Sequence, residues 1–321
     1  MIEVKNLTKA YGKKLAVSDV SFTVKSGEIL GFLGPNGAGK TTVMNIIAGY
    51  ICASDGRVLI DGHDVLTEPM HCKEKIGYLP EQPPLYMNMT VSEYLGFVYD
   101  VKNLKKSDIS LDKKSYISKI MNLVKIDEVA GRVIKNLSKG YKQRIGIAQA
   151  LIGEPEILIL DEPTVGLDPK QIFETRNVIK ELGKDRTVIV SSHILSEISE
   201  ICERVIIINK GRIIAEDTPK NLADKIANKS RFSARIEGNR ADIEAELSKI
   251  DGICSFSFAG NIEEGTCDYI IESSQSYDIR KNLFNLLSDK DMALLMLNPV
   301  SISLEDVFIE LTEKDVKGEE I

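Results

Sequence analysis

No apolar run in this sequence approaches the roughly 20 residues that carry a helix across a bilayer. The longest runs, such as Val205-Ile206-Ile207-Ile208, have the length of buried strands. The opening residues, Met1-Ile2-Glu3-Val4-Lys5-Asn6, read as a strand without the apolar core of a signal segment. Cysteines are five, at 52, 72, 202, 254 and 267, odd in number, scattered and without C-x-x-C spacing. That pattern fits reduced thiols in a cytosol, where the protein is expected. His63, His71 and Cys72 fit no common metal-ligand spacing and read as solvated loop residues. Positive charge is not in excess: 41 Lys and Arg against 48 Asp and Glu leave a net −7, which disfavours a dedicated nucleic-acid binder. Internal repeats and low-complexity tracts are missing too. What remains, 43% hydrophobic and 28% charged over 321 residues, supports an ordinary globular core and suggests two domains.

One stretch stands out. Gly34-Pro35-Asn36-Gly37-Ala38-Gly39-Lys40-Thr41 follows the strand-like run Ile29–Leu33 and precedes the helix-like Thr42–Ala48. This is G-x-x-x-x-G-K-[ST] in a strand–loop–helix setting. Glycines at 34, 37 and 39 let backbone N–H groups approach a polyphosphate without Cβ clashes, and the helix start aims its positive end at the same anion. Lys40 would neutralise phosphate charge, and Thr41 would offer a hydroxyl to Mg²⁺. A nucleoside triphosphate site is the expectation.

Before this loop, alternation over Ile2–Val4 and Val20–Val24 predicts a small antiparallel sheet, with Tyr11-Gly12 in an intervening loop. On spacing alone, Tyr11 is either a stacking platform for a base or a surface tyrosine. Arg57–Gly62 reads as a hairpin strand, and Ile76–Leu79 as a strand broken by Pro80, Pro83 and Pro84, with Gln82 in the break. Residues 90–150 are helical by pattern, and the lysine-rich Lys102–Lys125 reads as a solvated helix face and loop. Ser138 is placed to cap the helix that runs to Leu151.

Ile157-Leu158-Ile159-Leu160 is a continuous apolar strand ending in Asp161-Glu162. Buried parallel strands read this way, and ligand chemistry gathers at their carboxyl ends. Asp161 there suits Mg²⁺, and Glu162 could take a proton from water. Gly166–Pro169 makes a turn into a helix reaching about Gly183. Thr187–Ser192 repeats the apolar strand and delivers His193 to its carboxyl end. Val205–Asn209 and Arg212–Ala215 form a hairpin, and 219–230 reads as a polar linker. Residues 231–321 carry no catalytic motif. Their strand–helix–strand–strand–helix–strand order predicts a ferredoxin-like α+β unit, followed by a short amphipathic helix at Leu304–Leu311.

Taken together, these motifs resemble the ATP-binding subunits of ABC transporters, and the resemblance runs from residue 1 to about 218. The phosphate loop, Gln82, the Leu137–Arg144 stretch, Asp161-Glu162, Leu167-Asp168 and His193 occur in that family's order. The resemblance implies an α/β P-loop NTPase cassette over 1–218, with a mixed sheet core, an antiparallel β subdomain and a helical subdomain at about 86–150. The accessory domain would then fill 231–321. It also implies ATP and Mg²⁺ as cofactors. Amides of Gly34, Asn36, Gly37, Ala38, Gly39, Thr41 and Thr42, with Lys40, would bind phosphates. Thr41 and Asp161 would hold Mg²⁺, Gln82 would sense Mg²⁺ and the attacking water, Glu162 would be the general base or water-polarising group, His193 would contact the γ-phosphate, and Tyr11 would stack on adenine. Two cassettes close head to tail in that family, so Ser138 and Gly140 would cap the nucleotide of a second copy or a related cassette, with Asp168 at the seam. The expected partner is an integral-membrane permease, with no nucleic acid, and the expected location is peripheral, on the inner face of the membrane. An ATPase acting on DNA or the ribosome is the alternative. It is disfavoured by the single cassette and by the lack of a long insert between Gln82 and Ser138.

The usual Leu-Ser-Gly-Gly-Gln signature reads Leu137-Ser138-Lys139-Gly140-Tyr141 here. The serine and second glycine are kept, and Lys139 adds positive charge. That variant, with Tyr78-Leu79-Pro80-Glu81 and Asp306-Val307-Phe308-Ile309-Glu310-Leu311, resembles an export branch serving drug, polysaccharide or gliding-motility permeases.

Overall fold

The computed structural model describes residues 1–102, 112–226, 229–274 and 278–300. In chain order the elements begin with strands β1 (Ile2–Tyr11), β2 (Lys14–Val24) and β3 (Ile29–Leu33), then helix α1 (Lys40–Ile47). Next come β4 (Asp55–Ile60), β5 (His63–Asp64), α2 (Pro69–Lys75) and β6 (Ile76–Leu79). Helices α3 (Val91–Val101), α4 (Lys113–Leu123) and α5 (Lys139–Leu151) follow, then β7 (Ile157–Leu160), α6 (Pro169–Gly183), β8 (Thr187–Ser192) and α7 (Leu195–Ser199). Two strands, β9 (Arg204–Asn209) and β10 (Arg212–Asp217), follow, and then helix α8 (Pro219–Ile226). The chain divides into two compact units, Met1–Pro219 and one that begins at Lys220.

In the first unit, a six-stranded sheet has the order β10-β9-β3-β8-β7-β6. The pairs β9·β3, β3·β8, β8·β7 and β7·β6 are parallel, and β10 closes the edge antiparallel to β9. Every residue of β3, β7 and β8 is buried, which explains why these strands read as unbroken apolar runs rather than alternating ones. Register fixes where they stop. Leu33 pairs with Ser192, Leu160 with Val190 and Leu79 with Leu160, so the residues after four strands emerge along one edge. A second sheet, β2-β1-β4-β5, is antiparallel throughout. Its inner face packs with the buried side of α1 in one core that includes Val4, Val20, Phe22, Phe32, Val43, Met44 and Ile47. Each such side chain contributes about 1.5–3 kcal/mol by leaving water.

The structure departs from the sequence reading in three places here. His63, His71 and Cys72 are not loop residues: His63 lies in β5, His71 and Cys72 lie in α2, and Cys72 is fully buried. Tyr11 is the last residue of β1, not a loop residue, and the hairpin turn falls at Gly12-Lys13. The lysine-rich segment is not simply a solvated face. In α4, Tyr116, Ile117, Ile120 and Met121 are buried, and the Tyr116 hydroxyl accepts the Gly153 N–H at 2.9 Å. These residues recur at i, i+1, i+4 and i+5, a helical stripe that the surrounding lysines and serines obscured. Residues 103–111 of that segment lie outside the described residues.

The second unit contains α8 from Lys220 on, then β11 (Lys229–Glu237), α9 (Arg240–Leu247), β12 (Ile253–Gly260), β13 (Thr266–Ser274), α10 (Arg280–Ser288) and β14 (Leu294–Val300). Its sheet order, β12-β13-β11-β14, is antiparallel at every pairing. Each helix therefore connects parallel strands that flank a third, the split βαβ arrangement the sequence predicts. Phe232, Ala234 and Ile236 of β11 join Ile243, Leu247, Leu283 and Leu287 in a separate core. The span read as a linker holds α8 and the first residues of β11. The predicted helix at Leu304–Leu311 and the Asp306–Leu311 stretch lie outside the described residues.

Candidate active site

The edge where the parallel strands end forms a cleft of about 400 Å³. Of the residues singled out from sequence, Tyr11, Asn36, Gly37, Gly39, Lys40, Thr41, Thr42, Glu162 and His193 line it. The loop after β3 makes its floor. Gly37 and Gly39 have φ of +81° and +111°, values a side chain resists. A Cβ on Gly39 would come within 2.7 Å of the Ala16 carbonyl oxygen, so the loop sits directly on β2. Gly39 caps α1 with no side-chain bond, which leaves the first-turn N–H groups of the helix without a side-chain acceptor. An anion is the natural occupant of such an end.

Lys40 is buried and reaches three oxygens. Its Nζ donates to the Gly34 carbonyl at 2.7 Å and the Pro35 carbonyl at 3.3 Å, and pairs with Glu162 Oε1 at 3.1 Å. Glu162 in turn holds the His193 ring, with 2.8 Å between Oε2 and Nδ1. One carboxylate thus bridges a lysine from the phosphate loop and a histidine from the end of β8. Glu162 has φ +48°, a left-handed conformation that costs a non-glycine residue about 1–3 kcal/mol.

Asp161, one residue earlier, has no exposed surface. Its Oδ1 accepts from Ser191 Oγ at 2.5 Å, while Oδ2 is buried without a hydrogen-bond partner. Burial pushes its carboxyl up, against the Ser191 and Thr41 hydroxyls that favour the charged form. A buried carboxylate oxygen left over beside a threonine hydroxyl is a hard-oxygen donor set that suits Mg²⁺.

The other sequence-predicted residues are placed differently. Gln82 is exposed and does not line the cleft; its neighbour Glu81 does. Gly34 and Ala38 do not line the cleft either, because their amides face the protein. Gly34 N–H donates to the Ser192 carbonyl and Ala38 N–H to the Pro35 carbonyl. Ser138, Gly140 and Asp168 form a second group away from this lining. Ser138 caps α5, Asp168 caps α6 by accepting the Gln171 N–H at 2.9 Å, and Gly140 packs directly against the Gln171 side chain. Lys139 Nζ lies against Gly166, so the altered signature touches the turn before α6.

Sequence reasoning missed Lys14, Ala16, Glu81 and Val165 in the lining, and Ser191 beneath it. A legible signal existed only for Ser191, a hydroxyl ending an apolar strand two residues before His193. The five cysteines are all free. Among the described residues, no helix is long and apolar enough to cross a membrane.

The ABC transporter family model matches residues 17–165. The chain is similar to the linearmycin resistance ATP-binding protein LnrL of Bacillus subtilis, with 32% identity across 99% of this chain and 100% of LnrL. It is similar as well to the bacitracin transport ATP-binding protein BcrA of Bacillus licheniformis, with 34% identity across 97% of each chain. Among solved structures, the dimeric ATP-binding cassette MJ0796 in a post-hydrolysis state bound to ADP and Pi matches with a TM-score of 0.61. That match has 27% identity over 68% of this chain and 98% of the other.

Proposed function

Because this chain belongs to the ATP-binding subunits of ABC transporters and is an ATPase, we propose that it hydrolyses Mg·ATP to drive export through a separate membrane permease. The observation that carries the site assignment is the Lys40–Glu162–His193 chain at the mouth of the phosphate loop, with spacings of 3.1 and 2.8 Å. Lys40 and the free amides of α1 bind the β- and γ-phosphates. Glu162 orients the attacking water and receives its proton, and His193 holds the Glu162 carboxylate from the opposite side. Tyr11, half exposed at the rim, offers its ring to the adenine. Asp161 Oδ2 and the Thr41 hydroxyl would hold Mg²⁺, which supplies charge neutralisation at the phosphates when bound. Positioning and charge stabilisation carry most of phosphoryl transfer, and this cleft is built for both.

Ser138 and Asp168 are exposed and lie outside the cleft of their own chain, which supports a role in trans, with Gly140 buried beside Ser138 against Gln171. A second copy or a related cassette brings them over the nucleotide, so ATP closes the pair and hydrolysis releases it. The full-length match to relatives named for linearmycin resistance and bacitracin transport supports export. The permease partner places the protein on the inner face of the membrane. Selectivity for cargo then lies in the permease, not in this chain.

Phosphate release by the purified protein tests the site directly. It is expected to saturate with ATP and to fall to background when Mg²⁺ is chelated, with recovery on adding Mg²⁺ back. Release that ignores chelation would contradict the assignment of Asp161 and Thr41.

A further inference from the structure

Strand β8 is apolar from Val188 to Val190, then places Ser191 where it has no exposed surface. A buried hydroxyl is costly unless both its donor and its acceptor are used. Ser191 uses both on the same neighbour, the turn that follows β7. Its Oγ donates to Asp161 Oδ1 at 2.5 Å and accepts the Glu162 N–H at 2.8 Å. Two consequences follow. Donation to Oδ1 occupies one carboxylate oxygen and leaves Oδ2, buried and otherwise without a partner, as the oxygen available to a cation. Acceptance from Glu162 N–H ties down a residue at φ +48°, a conformation non-glycine residues avoid. From that backbone the Glu162 carboxylate spans Lys40 and His193.

We infer that Ser191 is a positioning residue for hydrolysis: one hydroxyl sets the free oxygen of Asp161 and the reach of Glu162 together. The inference rests on reading the cleft as a Mg·ATP site. A hydroxyl that merely satisfied a buried strand would affect stability alone, without separating metal dependence from nucleotide binding. Hydrogen-bonded partners of metal ligands have the distinct signature of changing metal affinity and turnover.

The test compares the full-length parent with Ser191→Ala and Ser191→Thr. A fluorescent ATP analogue is titrated in chelator and then with increasing free Mg²⁺, and phosphate release is measured across the same Mg²⁺ series. Ser191→Ala is expected to bind nucleotide in chelator as the parent does, which also shows that it folds. Its half-saturating Mg²⁺ should rise about tenfold or more and its kcat fall about 10- to 100-fold, with little change in KM for ATP. Ser191→Thr keeps the hydroxyl and should restore the Mg²⁺ requirement to near the parent's. A Ser191→Ala protein with the parent's Mg²⁺ requirement and kcat would overturn the inference. So would equal loss of chelator-phase binding and Mg²⁺ response in both variants, which would mark a packing role. A parent that neither binds nor hydrolyses ATP would instead overturn the reading of the cleft and the inference with it.

Discussion

Glu162→Gln is expected to leave nucleotide affinity near the parent's while phosphate release falls by about 10²-fold or more, the usual scale for losing a positioned base. The amide keeps the size of the carboxylate and can still face the His193 ring, so the turn after β7 has no steric reason to move. What disappears is the capacity to accept a proton and the charge that holds Lys40 at 3.1 Å. Releasing Lys40 from that pair makes it more available to phosphate, so binding has no reason to weaken. Parallel measurement of equilibrium binding and steady-state hydrolysis separates the two effects. Turnover at the parental rate would remove Glu162 from the chemistry.

The second large effect is expected at the other end of the same pair. Lys40→Ala removes a buried ammonium that donates to the Gly34 and Pro35 carbonyls and neutralises Glu162. The Glu162 carboxylate then faces incoming phosphates with only His193 beside it, so attraction is replaced by repulsion. Truncating one member of a buried charge pair costs on the order of 2–5 kcal/mol, and a nucleotide affinity about 10²-fold weaker lies within that range. Titration with a fluorescent ATP analogue measures it. Unchanged affinity would mean that phosphate binding relies on the loop amides alone.

These two residues were legible in the sequence because the chemistry constrains their neighbours as well. Lys40 is marked by glycines whose positive φ the loop requires, and Glu162 by an apolar run that only a fully buried parallel strand explains. The element order of the second unit was readable because its apolar periods switch between strand and helix, and the strand order β12-β13-β11-β14 agrees with the split βαβ unit that order suggested. Three things were hidden. The buried stripe around Tyr116 was masked by lysines, since a helix shows its solvent face as plainly as its core face. Glu81, and not Gln82, lines the cleft, and both lie in an irregular segment after β6 whose path no spacing rule fixes. Lys14 enters the lining because β2 folds back over the loop, a contact between segments with no local signature.

The same separation explains the second group of predicted residues. Ser138 and Asp168 are helix caps in their own chain, with hydrogen bonds that account fully for serine and aspartate at those positions. A capping role and a role across a cassette pair are compatible, because the cap leaves the residue exposed at a helix start.

The central claim is that this ATPase works on a membrane permease. The most direct measurement is affinity capture of tagged Glu162→Gln protein, with Mg²⁺ and ATP, from detergent extracts of the membranes of the source cell, with the partners identified by mass spectrometry. The account predicts co-purification of a polytopic membrane protein, lost when Lys40→Ala is introduced into the same chain. Recovery of ribosomes or DNA-repair proteins in place of a membrane protein would contradict it.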